Sequence, residues 1–276
     1  MIALEIINRT LPEKSKIVLT SLQNPWIKQI RKLHSSKERH KQELFLLEGT
    51  HLLEEACATN YPLDSLCCTS VWQAGHEQLW ELAVEKCDRA LVVSEDIMKA
   101  LATTVQPDGV VATAKRGHTT ELPFSGLQIA LETVQDPGNL GTIIRTAAAA
   151  GASGLWLSKN SVDLDNPKVL RASAGQWFRL PMHISENLPA TVTSAKQAGM
   201  QVIATLPGAN LTYWQIDWQK PSLILLGNEG AGLSTELAQM ADLNAKIPLQ
   251  PGVESLNVAI TAALILYEAQ RQKSST

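Results

Sequence analysis

The chain has 276 residues, of which 45% are hydrophobic and 18% are charged, a composition typical of a globular protein with a sizeable core. Its 24 basic and 27 acidic side chains leave a formal charge of -3, which excludes a uniformly basic nucleic-acid coat but not a local basic patch. No apolar run approaches the roughly 18 residues of a membrane span, and no secretory signal is visible. We therefore expect a cytoplasmic protein that does not contact a membrane.

The N-terminal part contains a concentrated run of positive charge. Residues 14–42, here called the basic segment, carry eight basic side chains against Glu38 alone, whereas residues 43–108 carry three basic against twelve acidic ones. Asn24 and Pro25 are typical of a helix start, and apolar residues then recur at helical spacing up to Leu33. On charge alone, this pattern is equally compatible with a solvated helix face and with a phosphate-binding surface.

Strand-like and helix-like pieces alternate after the basic segment, and they predict a small α/β domain over residues 1–116, with a tail at 1–15 and a linker at 117–126. The pieces are Leu44–Leu47, Thr50–Ala58, Leu63–Thr69, Leu79–Lys86, Leu91–Val93, Ile97–Ala102 and Val110–Ala114. The four cysteines, Cys57, Cys67, Cys68 and Cys87, lack the CxxC spacing of a zinc site, so we expect reduced thiols and no metal.

A second α/β domain is predicted over residues 127–276. Its expected strands are Leu127–Val134, Leu155–Ser158, Met182–Ile184, Val202–Thr205, Leu223–Leu226 and Ala245–Pro248. Continuous apolar runs of this kind favour strands covered on both faces, and hence a parallel sheet.

Three unusual loops follow strands of this second domain. The first, DPGNLG, leads into a helix that carries Arg145; the second, GNEGAGLS, surrounds Glu229 with glycines; the third ends at Asn257. Loops at the carboxyl ends of parallel strands are where such folds bind ligands. We expect Gly138 and Gly141 to let the backbone approach a ligand closely.

The helix after the third loop contains no charge from Val258 to Tyr267. A helix that is apolar all round is expected to be buried, either in a core or in a subunit interface. Ser255 is a candidate for its cap.

Taken in order, DPGNLGTIIRTA, LLGNEGAGLS and IPLQPGVESLNVA closely resemble the three signature motifs of the SpoU (TrmH) family of RNA ribose 2′-O-methyltransferases, in the SPOUT superfamily. The resemblance covers roughly residues 127–272, and NPKVLRASAG at 166–175 is similar to a stretch common in ribosomal RNA members. Residues 21–33 and 45–49 look like the RNA substrate-binding domain often fused in front. The resemblance implies a parallel α/β sheet with a C-terminal trefoil knot, a homodimer, and S-adenosylmethionine as methyl donor.

The resemblance also implies roles for single residues. Cofactor contacts are expected, mainly through backbone groups, near Thr205, Gly227, Ile247, Leu249 and Leu256. Arg145 takes the central catalytic part, as a general base or, because arginine is effectively never neutral, as a group that binds the neighbouring phosphate and stabilises a developing alkoxide. Asn139 and Asn257 are expected to orient Arg145 or the ribose, Glu229 to hold the arginine or the loop, and Ser255 to cap the helix or contact the site.

Once the resemblance is considered, the basic segment is predicted to contact RNA. The predicted RNA-binding residues are Lys28, Arg31, Lys32, Lys37, Arg39 and Lys41, with Arg171 in the second domain. Ribosomal RNA is favoured over transfer RNA. A non-catalytic RNA-binding or ribosome-assembly factor on this scaffold is the alternative, but it has no need for all four of Asn139, Arg145, Glu229 and Asn257. A small-molecule methyltransferase would not require the basic segment.

Overall fold

The computed structural model describes residues 18–117 and 122–274. The predicted tail at 1–15 and part of the predicted linker, residues 118–121, lie outside the described residues. Lys14 and Lys16 of the basic segment lie outside them as well.

Two short helices form the described part of the basic segment. They are α1 (Pro25–Arg31) and, after a 3₁₀ turn (Lys32–His34), α2 (Ser36–Gln42). The side chain of Asn24 caps α1 by accepting a hydrogen bond from the N–H of Trp26 at 2.9 Å. Ile27 and Leu33 are buried, so the helical spacing in the sequence is confirmed for this helix and turn.

A four-stranded mixed sheet follows, in the strand order β1-β4-β2-β3. Its elements are β1 (Leu44–Glu48), α3 (Thr50–Ala58), β2 (Leu63–Cys68), α4 (Ser70–Gly75), α5 (Glu77–Val84), β3 (Cys87–Val92), α6 (Glu95–Leu101) and β4 (Val110–Lys115). β2 pairs parallel with β3, and β4 pairs antiparallel with β1 and β2.

The C-terminal half is built on a seven-stranded sheet. Its elements are β5 (Leu127–Leu131), α7 (Pro137–Ala149), β6 (Gly154–Ser158), α8 (Pro167–Ala172), β7 (Met182–Ser185), α9 (Leu188–Gln197), β8 (Gln201–Thr205), β9 (Leu211–Thr212), β10 (Ser222–Leu226), α10 (Thr235–Met240), β11 (Leu243–Lys246) and α11 (Val258–Ser274). The strand order is β7-β6-β5-β10-β8-β11-β9, and every pair is parallel. The predicted α/β class with a parallel sheet is confirmed.

One prediction about an element was wrong in detail, and another was met only in part by the single chain. The strand expected to reach Val134 ends at Leu131, because Thr133 adopts a left-handed backbone with φ of 56°, which is strained for a β-branched residue. The uncharged helix α11 buries one face in the chain's own core, with residues such as Ala262 and Leu266, while Ile260 and Tyr267 are each 51% exposed in the single chain; burial of that second face in a subunit interface stays a prediction. No helix in the described ranges is long and apolar enough to cross a membrane.

Candidate active site

The strand order brings the first and second loops together. β5 and β10 are neighbours, with Leu131 paired to Leu226, so the loops that follow these strands start side by side. The N–H of Glu132 donates to the carbonyl of Leu226 at 2.8 Å. The carboxylate of Glu132 accepts from the N–H of Ser234 at 2.7 Å, which closes the far end of the second loop onto the first.

Glu229 lies at the centre of the three loops. Its carboxylate accepts hydrogen bonds from the N–H groups of Gln135 at 3.2 Å and Asp136 at 3.1 Å, and from Nδ2 of Asn139 at 3.1 Å. Oδ1 of Asn139 in turn accepts from Nδ2 of Asn257 at 2.9 Å. Glu229, Asn139 and Asn257 therefore form one hydrogen-bonded chain across all three loops, which we call the polar chain.

The polar chain favours an ionised Glu229. Partial burial alone would raise the pKa of this carboxyl, but the hydrogen bonds from Asn139 and from the backbone lower it below its ordinary value of 4.5. Glu229 is thus held as a carboxylate that accepts from every donor around it. Its role in this chain is to fix the geometry of the loops.

The second loop folds back on itself around Asn228, a residue that sequence reasoning missed. Its Oδ1 accepts from the N–H groups of Gly230 and Ala231, each at 2.9 Å, and its Nδ2 donates to the carbonyl of Thr133 at 2.8 Å. A Cβ on Gly227 would lie 2.1 Å from the backbone of Gly232. This reversal of the backbone requires glycine at position 227, independently of any cofactor that approaches the same residue.

The first loop is set by the start of α7. Asp136 caps the helix by accepting from the N–H of Asn139 at 2.9 Å, and this bond is the main reason why the pKa of Asp136 lies below its ordinary value. The expectation that Gly141 lets a ligand approach was wrong. A Cβ there would lie 2.5 Å from Cβ of Ala172 and 2.6 Å from the carbonyl of Val169, so this glycine allows α7 and α8 to pack closely.

The third loop delivers Asn257, which caps α11. Its Oδ1 accepts from the N–H of Ala259 at 2.9 Å and of Ile260 at 3.3 Å. The prediction that Ser255 caps this helix was wrong, because the helix begins two residues too late for it. Ser255 is exposed and makes no hydrogen bond to any of the described residues.

Arg145 stands apart from the polar chain. It follows Asn139 by six residues, so at roughly 3.6 residues per turn the two side chains are separated by about 120° around α7. It is exposed, and within the described ranges it forms no ion pair or hydrogen bond. The geometry of this single chain therefore gathers Asn139, Glu229 and Asn257, and it shows no hydrogen bond between Arg145 and any of them.

The predicted cofactor residues cluster at the carboxyl end of the sheet. Thr205 ends β8 and Gly227 follows β10, its neighbour in the sheet, while Ile247 and Leu249 follow β11 on the other side of β8. Oγ1 of Thr205 is buried and has no hydrogen-bond partner among the described residues. A buried hydroxyl without a partner is costly unless a ligand supplies one, so this site fits a polar cofactor. Leu256, 36% exposed, lies in the third loop.

The basic segment exposes most of the predicted RNA-binding residues but not all of them. The exposed ones are Lys28, Arg31, Lys32, Lys37 and Lys41. Arg39 was wrongly included: it is 2% exposed, and its guanidinium donates to Asp163 at 2.8 Å and to Asp165 at 3.1 Å. Both carboxylates belong to the C-terminal half, so Arg39 joins the two halves of the protein.

Arg171, the predicted RNA-binding residue of the second domain, also contacts the N-terminal half. It donates from Nη1 to the buried carboxylate of Glu48 at 3.0 Å and to Oγ1 of Thr103 at 2.6 Å. Gly175, at the end of the NPKVLRASAG stretch, has a left-handed φ of 79°, and a Cβ there would lie 2.3 Å from Glu55. The stretch is therefore a junction with the N-terminal half, and Nη1 of Arg171 is engaged there; contact of this partly exposed side chain with RNA stays a prediction.

The C-terminal half is thus a parallel sheet with three glycine-rich or capped loops at its carboxyl end, the class of fold and site found in SPOUT methyltransferases. Comparison with known families agrees: residues 126–267 match the SpoU rRNA methylase family, and residues 24–112 match an MRM3-like substrate binding domain. The chain belongs to the SpoU family and is an RNA methyltransferase.

Individual relatives agree with this assignment over nearly the full length. The chain is 44% identical to an uncharacterized tRNA/rRNA methyltransferase of Synechocystis over 92% of this chain and 94% of that protein. It is 34% identical to the Bacillus subtilis 23S rRNA (guanosine(2553)-2′-O)-methyltransferase RlmP, over 90% and 97%. An AdoMet-bound rRNA methyltransferase from Sinorhizobium meliloti superposes with a TM-score of 0.82 at 34% identity, over 92% and 97%. The predictions of the family and of S-adenosylmethionine as cofactor are confirmed.

Proposed function

We propose that this enzyme methylates a ribose 2′-hydroxyl in ribosomal RNA, with S-adenosylmethionine as donor. The observation that carries the proposal is the polar chain of Glu229, Asn139 and Asn257, which lies at the same carboxyl end of the sheet as the buried, unpartnered hydroxyl of Thr205. Fixed amides next to a cofactor site are suited to orienting a sugar hydroxyl. RlmP is named as a 2′-O-methyltransferase of 23S rRNA, and the similarity of this chain to it supports the same reaction on ribosomal RNA here.

The proposed chemistry divides between the cofactor and the protein. When bound, S-adenosylmethionine supplies an activated methyl group; Thr205 and the backbone near Gly227, Ile247, Leu249 and Leu256 would hold it. The attacking hydroxyl is a very weak acid, so developing negative charge on its oxygen must be stabilised as the proton leaves. We assign this role to the guanidinium of Arg145, which also suits the phosphate beside the target ribose.

Arg145 forms no hydrogen bond with the polar chain of its own protomer, and we propose that it meets the polar chain of a second protomer. We propose a homodimer on the exposed face of α11, which supports a groove of about 540 Å³ lined chiefly by apolar side chains. Ile260, Leu264 and Tyr267 are exposed on this face, and Tyr213 completes it. Exposed apolar surface of this kind marks interaction sites. The trefoil knot, formed by residues 223–248 and α11, is part of the same proposal and is supported by family membership.

The substrate RNA would bind first through the basic segment. Lys28 and Lys32 of the first helix and turn, with Lys41 of α2, line a cleft of about 460 Å³ between the two helices. Cations that converge on a cleft can neutralise successive phosphates and give a salt-dependent affinity. Arg31 and Lys37 are exposed outside this cleft. The proposal places the enzyme with bacterial ribosomal RNA, in the cytoplasm.

Transfer of a labelled methyl group to purified ribosomal or transfer RNA tests the proposal. We expect incorporation into ribosomal RNA, with the label on a ribose. Incorporation into transfer RNA alone would show that transfer RNA, not ribosomal RNA, is the substrate. No incorporation into either RNA would favour a non-catalytic RNA-binding factor. Arg145→Ala is expected to abolish transfer and leave cofactor binding intact; retained turnover at saturating RNA would contradict the role given to Arg145.

A further inference from the structure

We propose that Arg39 is a positioning residue that couples the RNA-binding helix α2 to the catalytic loops. The inference rests on the proposed function, because it concerns how RNA bound to the basic segment acts on the methylation site. It starts from the observation that Arg39 is the one cation of α2 that is buried. Its neighbours Lys37 and Lys41 are exposed on the same helix.

The first link joins α2 to the segment between β6 and α8, residues 159–166, here called the bridging segment. Arg39 donates from Nη2 to Asp163 at 2.8 Å and from Nε to Asp165 at 3.1 Å. Ser36, at the start of the same helix, donates to Asp163 at 2.5 Å. Arg116, which follows β4, pairs with the other oxygen of Asp165.

Arg39 is also held on its own side of the junction. Its Nη1 donates to the carbonyls of Leu33 at 3.3 Å and His34 at 3.4 Å, at the end of the 3₁₀ turn between α1 and α2. One planar guanidinium therefore binds the turn and both carboxylates at once. A side chain with three groups of partners fixes the position of α2 relative to the bridging segment more firmly than a single ion pair would.

The second link joins the bridging segment to the first catalytic loop. The carbonyl of Asn160 accepts from Nε2 of Gln135 at 2.7 Å, and Oγ of Ser161 accepts from the N–H of Val134 at 3.1 Å. The N–H of Val162 donates to the carbonyl of Val134 at 2.9 Å. Just before the segment, Oγ of Ser158 accepts from the N–H of Thr133 at 2.8 Å.

These contacts hold the strained Thr133 and the residues after it, which form the third link. The N–H groups of Gln135 and Asp136 are the backbone donors to Glu229, at 3.2 Å and 3.1 Å. The route from α2 to the polar chain is therefore unbroken: Arg39, the bridging segment, residues 133–136 and Glu229. A displacement of α2 by RNA would be transmitted to the carboxylate that orients Asn139.

A second interdomain ion pair provides a matched control. Arg179 forms an ion pair with Glu55, with Nη2 2.6 Å from Oε2, and this pair also joins the two halves. Neither residue contacts the bridging segment or residues 133–136 through any hydrogen bond within the described ranges. If Arg39 only docks the two halves together, loss of the Arg179–Glu55 pair should change the transfer rate and the hydrogen exchange at residues 133–136 to the same extent as loss of the Arg39 contacts.

The test compares a neutral triple variant, Arg39→Met with Asp163→Asn and Asp165→Asn, with the control double variant Arg179→Met with Glu55→Gln. Neutralising all three groups avoids unpaired buried carboxylates, which would obscure the result by unfolding the protein. Single-turnover methyl transfer is measured at saturating RNA and cofactor, and the RNA dissociation constant is measured separately. Hydrogen exchange at the amides of residues 133–136 provides a readout that does not depend on activity.

We expect the triple variant to transfer methyl groups about tenfold more slowly, with RNA affinity within about twofold of wild type and faster exchange at residues 133–136. The control variant should show neither change. Wild-type rates and exchange in the triple variant would overturn the coupling, as would equal losses in both variants. If the wild-type enzyme methylates no RNA, hydrogen exchange at residues 133–136 still distinguishes the triple variant from the control. A failure of the proposed function can therefore be told apart from a failure of this inference.

Discussion

Replacing Glu229 by glutamine tests whether its carboxylate organises the catalytic loops. Oε1 accepts from the N–H of Asp136 and from Nδ2 of Asn139, both at 3.1 Å. Oε2 accepts from the N–H of Gln135 at 3.2 Å and, more weakly, from Nδ2 of Asn228 at 3.4 Å. All four partners are donors, and an amide keeps only one acceptor oxygen. In either orientation of the glutamine, two of these contacts become donor against donor.

The size of the effect follows from these two lost contacts. Hydrogen bonds to a charged acceptor contribute about 1.5–3 kcal/mol when buried, and we take about 1 kcal/mol each because Glu229 is exposed. The ordered arrangement then loses about 2 kcal/mol, which corresponds to a fall of about 30-fold in rate. The melting temperature should change little, since the fold does not depend on an exposed loop side chain.

Single-turnover methyl transfer at saturating RNA and cofactor measures this loss directly. Glu254→Gln is the matched control: it makes the same change of charge in the third loop, and Glu254 forms no hydrogen bond to any described residue. Its rate should stay within about twofold of wild type. A wild-type rate for Glu229→Gln would refute the role of the polar chain. Equal losses in both variants would show that net charge, not loop geometry, sets the rate.

Three further predictions follow from packing, charge and the proposed dimer. Gly141→Ala should lower the free energy of unfolding by about 1–3 kcal/mol because its Cβ would lie 2.5 Å from a neighbouring side chain, whereas Gly75→Ala, which meets nothing within 4 Å, should be neutral in the same thermal unfolding assay. Arg171→Met should cost about 1–2 kcal/mol near neutral pH, because it removes one charged partner of the buried Glu48 carboxylate, which keeps its hydrogen bonds from Thr103 and Thr104. Burial alone would raise the pKa of Glu48, but hydrogen bonds and Arg171 hold it below its ordinary value of 4.5. The stability that ionised Glu48 gives the fold is therefore lost as the pH falls below 4.5. Denaturant titrations near pH 3 should show a smaller difference in the free energy of unfolding between Arg171→Met and wild type. Ile260→Asp, on the exposed face of α11, should convert a dimer to a monomer in sedimentation and abolish transfer while leaving the far-ultraviolet circular dichroism of the folded chain unchanged; a wild-type monomer with full activity would contradict the dimer.

Local signals predicted much of the fold. The continuous apolar run of β10 indicated a doubly covered parallel strand, and Asn24 with Pro25 indicated the start of α1, because both patterns depend on neighbours in the chain. The three loop motifs were specific enough as an ordered set to predict the family and its cofactor. Where a local feature depended on backbone conformation, as at Thr133, the pattern did not reveal it and the predicted strand was too long.

The sequence by itself determined the class of fold, the family, the cofactor, and the three loops that form the candidate site. Only the tertiary structure decided which of these residues meet. Whether Arg39 binds RNA or joins the two halves depends on Asp163 and Asp165, which lie more than a hundred residues away in the chain. Charge counted along a sequence does not show which cations will be buried against distant carboxylates, because that pairing arises only when the two halves pack together.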